Sequence, residues 1–320
     1  MQKSIPCILS TVFQGVRYFI DCKETKVMNL DLIIKLVVAA LMIGSVYSAL
    51  GMSYSLIYKA SGLMNLAMGN FLMLGAYVGL TFYSILGLNI WLSFIFTFIV
   101  MFVFGILVQR YLIDTLLKKG AAFSYIILLT AALGLAMENS AILIWTPYTL
   151  YFPAIFKVTS VEIAGTHVAP ESLLVLGIAV FSCVGLFVFL NKTKFGTAMR
   201  ASAQDQVAAG ALGINVGLTK DVTWGLASSL AGVIGMALGP VYGVYSTMGA
   251  MIAQKAFAGS VTGGYGNIIG AVVGGVFYGF LETFVSAFIT TTYKDVISFT
   301  VLIIILVISP TGLFKEKVIE

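Results

Sequence analysis

A series of apolar runs, most of them long enough to cross a bilayer, follows along this chain with only short polar breaks between them. They lie at about Leu36–Tyr58, Gly62–Leu86, Leu88–Val108, Phe123–Trp145 and Ser172–Leu190, then Val222–Val244, Tyr245–Tyr265, Asn267–Ile289 and Val296–Ser309. A spanning helix needs about 20 apolar residues and satisfies its own backbone hydrogen bonds inside lipid. Composition agrees: 60% of residues are hydrophobic, 10% are charged and the mean hydropathy is +1.04, whereas a soluble domain carries about 25% charged residues. No aqueous fold of this size hides that much apolar surface. The expected fold is all-α, a polytopic membrane helical bundle of about 8–10 spans. The run from Tyr245 is polar and glycine-rich enough to be re-entrant. Two parts are expected, an N-terminal extension over 1–29 and a transmembrane domain over 30–320.

The extension holds an apolar stretch from Ile5 to Phe13, then Arg17, Asp21, Lys23, Glu24 and Lys26. It lacks the clean apolar core and small-residue cleavage site of a secretory signal, and Met28 offers an alternative start.

Lys and Arg collect on the cytoplasmic side of membrane proteins. Placing Asn191–Asp221 there puts Lys59, Arg110, Lys118, Lys119, Lys192, Lys194, Arg200, Lys220, Lys315 and Lys317 on one side, with Lys35, Lys157 and Lys294 opposite. The net charge of +5 is therefore a topology signal, and no nucleic-acid partner is expected. The same orientation leaves Thr146–Pro170 outside as a long loop that carries His167, the one histidine.

Catalytic signatures are absent from the sequence. There is no Gly-Lys dipeptide, so no Walker A loop, and no HExxH pattern. Cys7, Cys22 and Cys183 are far apart, odd in number and without CxxC spacing. No catalytic residue, metal or cofactor is expected, and the chain is not expected to hydrolyse ATP by itself. Glu138, Lys255 and Glu282 do fall inside apolar runs. Charge there is expensive, so each is a candidate for a pathway, a buried pair or a helix contact.

Glycines cluster at Gly235, Gly239 and Gly243 and from Gly259 through Gly263, Gly264, Gly266 and Gly270 to Gly279. Small residues four apart let helices approach closely, and as a group these suggest broken helices around a cavity. The tetrapeptides Gly69-Asn70-Phe71-Leu72 and Gly266-Asn267-Ile268-Ile269 form a faint internal echo.

Within the cytoplasmic segment, the Ala-rich, proline-free stretch Thr197–Leu212 predicts a short helix, weakened in its last turn by Gly210. It carries Arg200, Gln204, Asp205, Ala208 and Ala209 and lies between Gly196 and Gly213. It is either a solvated connector or a docking helix for a groove on a cytoplasmic partner.

From Gly44 onward the chain resembles the permease subunit of bacterial branched-chain amino acid ABC importers. The resemblance rests on GSVYSALGMSYSLIYKASGLMNLAMGNFLMLGAY, on GTAMRASAQDQVAAGALGIN, and on Lys255-Ala256-Phe257, Gly263-Gly264-Tyr265-Gly266-Asn267 and the closing Pro310-Thr311-Gly312-Leu313-Phe314. Departures from the family pattern are Met68 and Asn70, where polar and acidic residues are usual, and Tyr265 and Ile269. The resemblance implies a bundle of two related halves. It also implies four partners: a second permease subunit, two cytoplasmic ATPase subunits and an extracytoplasmic substrate-binding protein. By the same resemblance, Arg200, Gln204, Asp205, Ala208, Ala209, Gly210 and Gly213 belong to the ATPase-coupling segment. Asn65, Asn70, Glu138, Gly263, Gly264 and Gly266 are assigned to the substrate pathway. A permease for urea, amides or a sugar, a secondary transporter and a non-transporting scaffold remain as alternatives.

Overall fold

A computed structural model describes residues 30–314, apart from 154, 157–159 and 164–165. The N-terminal extension with Cys7 and Cys22, and the basic residues Lys157, Lys315 and Lys317, lie outside the described residues.

The chain is helical along almost all of its apolar runs. Helix α1 covers Leu30–Ser61, and α2 covers Met68–Leu80 and runs on in a wider π-helical turn over Thr81–Ile85. Helix α3 (Ile90–Leu107) continues through a second π-helical segment, Val108–Ile113, into α4 (Asp114–Lys118), and α5 follows over Phe123–Ile144. Beyond a long loop come α6 (Pro170–Lys192), α7 (Lys194–Gln204), α8 (Gln206–Ala211) and α9 (Val216–Tyr242). The chain closes with α10 (Met248–Gly263), α11 (Ile268–Phe288) and α12 (Lys294–Ile308). Helix starts are marked by their chemistry. Asn89, Asn215 and Asn267 each accept a hydrogen bond from a backbone N–H in the first turn of the helix that follows.

Among the described residues, seven helical stretches are long and apolar enough to cross a membrane, which makes this a multi-pass membrane protein. Helices α10 and α12, with 16 and 15 residues, are shorter. At 1.5 Å per residue they reach about 24 Å, less than the roughly 30 Å hydrocarbon core.

Packing follows side-chain size. Helix α9 is rich in Gly, Ala and Ser from Gly225 to Gly239, and it is buried against α1, α2, α3 and α6. A methyl group at Gly75 of α2 would overlap the backbone of Gly232 in α9, and one at Gly235 would overlap the Leu72 carbonyl. Helix α11 packs in the same way on α1, where Gly275 abuts the backbone of Ser48. On α3 the buried positions Ser93, Thr97, Met101 and Gly105 recur every four residues, while Trp91, Ile95, Phe96 and Ile99 face outward. Between helices in lipid there is no hydrophobic drive, so close backbone approach selects the inner face.

The loop between α5 and α6 is partly ordered by strands. Val161–Ile163 (β1) and Thr166–Val168 (β2) form an antiparallel ribbon in which Glu162 faces His167. His167 is exposed, 3.4 Å from the Ser160 hydroxyl. Leu150 and Val244 exchange backbone hydrogen bonds at 2.8 Å, tying the loop to the turn after α9. Trp145 stacks on Tyr77 at 5.0 Å and donates to the Thr81 hydroxyl at 2.8 Å.

One expectation needs correction. The stretch Thr197–Leu212 is two helices, α7 and α8, and the break falls at Asp205. That residue adopts an extended conformation (φ −148°, ψ 111°), and its Oδ1 accepts from the N–H groups of Val207 and Ala208 at 2.8 and 2.9 Å. The carboxylate replaces helix bonds with a cap, which is how a short acidic side chain interrupts an Ala-rich helix.

Candidate functional site

The first candidate region is the break between α1 and α2. The chain leaves helix at Ser61 and re-enters it at Met68. This break packs beside the first turns of α5. Leu66 N–H donates to the Thr130 hydroxyl at 3.2 Å, about two turns inside α5, and the Asn70 amide packs against Gly134 one turn further along. Inside a bilayer, non-helical backbone is tolerated only where protein buries it or where it lines a water-filled cavity. Asn65 supplies the missing bond: only 1% exposed, its Oδ1 accepts from Ala67 N–H at 2.9 Å and its amide nitrogen lies 3.7 Å from the Met68 sulfur. Its polar group is committed to holding the turn. Glu138 stands one turn beyond Gly134 on the same face of α5, half-buried. Among the described residues no ion pair involves Glu138. The structure thus gathers Asn65, Asn70 and Glu138 at one seam between α2 and α5.

The start of α2 also meets the start of α10. A methyl at Gly249 would overlap the Gly69 carbonyl, so both positions need glycine for two helix N-termini to touch. Each such terminus carries a partial positive charge. Gly69 thus meets Gly249 rather than Gly266 of its sequence echo, and no local pattern announced it.

Gly263, Gly264 and Gly266 are buried but lie at the other end of α10, about 21 Å along the helix from Gly249. They form the turn into α11, with φ of +112° at Gly264 and +95° at Gly266. The chain's C-terminal stretch clamps that turn: Leu313 N–H donates to Thr262 at 2.9 Å and Phe314 N–H to Gly263 at 3.1 Å. The structure does not bring these glycines to the Asn65 seam.

The other two membrane charges find each other. Lys255 Nζ of α10 lies 2.6 Å from Glu282 Oε1 of α11 and 2.7 Å from Asp295 Oδ1 of α12. Lys294 Nζ reaches the same Glu282 oxygen at 2.8 Å, and the Tyr47 hydroxyl of α1 donates to Oε2 at 2.5 Å. Two ammonium groups and two carboxylates thus cancel one another beside a cavity of about 220 Å³. Lys294, Asp295 and Tyr47 were not among the candidates from sequence, because they sit at a helix start and in a distant span with no local signal.

At the end of the bundle that carries Lys192, Lys194 and Arg200, α7 packs through Gly196, Met199 and Ser202 and turns its other face to solvent. Arg200 donates to Asn191 at 2.8 Å, and Gln204 and Asp205 are exposed. Along α8, Ala208 is exposed but Ala209 is turned inward. Gly210 has open space around it, and Gly213 ends the segment with φ +83°. Two apolar side chains that sequence reading missed, Val207 (83% exposed) and Leu212 (81%), stand free at the same tip. Lys220 of α9 reaches the Gln206 side chain at 2.8 Å and braces α8 against the membrane span.

Comparison with known proteins adds a consistent set of similarities. The family model described as the branched-chain amino acid transport system permease component matches residues 36–306. The high-affinity branched-chain amino acid transport system permease protein LivH of Salmonella typhimurium is 30% identical over 87% of this chain and 94% of its own length. The corresponding protein BraD of Pseudomonas aeruginosa is 28% identical over 88% and 96%. A probable branched-chain amino acid transport permease protein of Methanocaldococcus jannaschii is 28% identical over 82% and 87%. No solved structure matches the chain.

Proposed function

The chain belongs to the permease-component family of branched-chain amino acid transport systems, and from that premise we propose that it is the membrane subunit of an ABC importer carrying branched-chain amino acids inward. It works with a second permease subunit, two cytoplasmic ATPases and an extracytoplasmic binding protein. ATP is hydrolysed by the partners, and this chain converts their motion into opening to alternate sides.

The observation that carries this reading is the cytoplasmic corner. A secondary transporter has no use for a helix pair that is anchored on one face by Gly196, Met199, Ser202 and Ala209 and presents Val207, Ala208 and Leu212 on the other. Apolar side chains so exposed outside the bilayer fit a groove on a soluble partner. The Asp205 cap fixes the angle between α7 and α8, and Lys220 links α8 to the central helix α9. A push on α8 is therefore delivered to the most deeply packed span. On the membrane side, Asn70 and Glu138 flank the path, with Asn65 holding the break beside them.

The test is reconstitution with all partners in liposomes. Leucine uptake that requires ATP supports the proposal. The chain alone is expected to hydrolyse no ATP, and hydrolysis that survives removal of every co-purifying protein contradicts it.

A further inference from the structure

The cavity beside the charge network opens between the outer ends of α9 and α12 and the first turns of α10. Its lining mixes two chemistries: Tyr47, Tyr242, Tyr245, Lys255, Glu282 and Lys294 are polar, whereas Leu238, Met248, Met251 and Ile252 are apolar, and Met251 and Ile252 stand one turn before Lys255 on α10. Lys255 and Glu282 are sealed, with side chains 5% and 9% exposed, whereas Lys294 is 36% exposed and is the member free to move.

We propose that this pocket binds the transported amino acid itself, as a zwitterion with an aliphatic side chain. The proposal rests on the importer reading and adds a substrate site to it. Glu282 Oε1 holds two ammonium groups, one from each lysine. The substrate's α-ammonium takes the place of Lys294 on that oxygen. Lys294, released, then pairs with the substrate's carboxylate. The exchange keeps the pocket neutral, because one cation and one anion enter together, and every buried charge retains a partner. A lone cation or anion would leave an uncompensated charge in a site walled by lipid-facing helices. The side chain of leucine, isoleucine or valine then rests on Met248, Met251 and Ile252, where flexible thioethers adapt to differently branched groups. At about 220 Å³ the cavity suits one small solute rather than a peptide.

The membrane complex is placed in lipid nanodiscs with its ATPases but without the soluble binding protein, and equilibrium binding of radiolabelled L-leucine is measured. Saturable binding is expected, displaced by L-valine. Leucinamide, which lacks the carboxylate, and 4-methylpentanoate, which lacks the ammonium, should compete about 10- to 100-fold less well. Met251→Trp fills the cavity while leaving all four charges in place, and Glu282→Gln removes the acceptor. Each should weaken leucine binding about tenfold or more. Because Glu282→Gln can also disturb folding, Met251→Trp decides the matter. Leucine binding that Met251→Trp leaves unchanged, equal competition by leucinamide, or no binding by the unmutated complex overturns the proposal. Uptake by the complete importer separates the two readings. ATP-dependent uptake that Met251→Trp does not impair removes the pocket and spares the importer, while absence of uptake in the unmutated system removes the importer itself.

Discussion

Helices α9 and α3 cross the same bilayer side by side and are built in opposite ways. In its most apolar window α9 is 83% buried, and its inner surface is Gly225, Ser228, Ala231, Gly232 and Gly235. The corresponding window of α3 is 22% buried and turns Ile95, Phe96, Ile99 and Val103 outward. In water the large apolar residues would be inside. In lipid a phenylalanine loses little by facing the tails, and what marks the core is how near two backbones can come. Residue size, more than hydropathy, separates the scaffold of this subunit from the faces it leaves to lipid and partners.

Breaking the scaffold should therefore have the largest effect. Gly75→Leu drives a side chain into the Gly232 backbone and is expected to cost more than about 4 kcal/mol, read as loss of monodisperse protein after detergent extraction. Gly177→Leu on the outward α6 meets open space and should shift stability by less than about 0.5 kcal/mol. Similar behaviour of the two variants would erase the distinction between the helices.

Next in size comes the charge network on the scaffold side. Lys255→Met leaves Asp295 without its cation and Glu282 with only Lys294, a loss of about 3 kcal/mol. The double variant Lys255→Met, Asp295→Asn, which leaves Glu282 paired with Lys294, should recover most of it, as followed by thermal unfolding in detergent. A double variant less stable than the single one would mean that the network is not a compensated unit.

Asn65→Ala removes the acceptor for the Ala67 N–H at a buried break. It should cost about 1–3 kcal/mol, again measured by thermal unfolding. No change would mean that water takes over the bond, and that the break lies open.

The contrast between α9 and α3 also explains what sequence could and could not disclose. Spans and their order were legible because apolar runs are local properties. The family motifs were legible for the same reason. The meeting of Gly69 with Gly249 was not, since it depends on two helix starts 180 residues apart in sequence. Tyr47 and Glu282 are separated by 235 positions. The division between α7 and α8 was written in Asp205 and the two N–H groups it caps, but high Ala content pointed to one continuous helix. Of the residues proposed for coupling, Ala208 and Ala209 look alike in sequence, and only packing tells them apart.

The smallest effect on stability, and a large one on function, is expected at the seam between α2 and α5. Glu138→Gln removes a half-buried charge that forms no ion pair among the described residues and should change stability by less than about 0.5 kcal/mol while lowering uptake in liposomes. Unchanged uptake would show that the charge is merely tolerated on α5.

The most direct measurement is co-purification of the ATPases with Ala208→Glu, alongside ATP hydrolysis in liposomes. Ala208 is exposed on α8 and Ala209 is 2% exposed beneath it. Ala208→Glu places bulk and charge on the docking face while the membrane helices stay folded. The expected result is a stable, inserted chain that no longer retains the ATPases and no longer supports substrate-stimulated hydrolysis. Retention and hydrolysis at the unmutated level, for Ala208→Glu and for charge placed at Val207 and Leu212, would contradict the account and leave α8 as a connector.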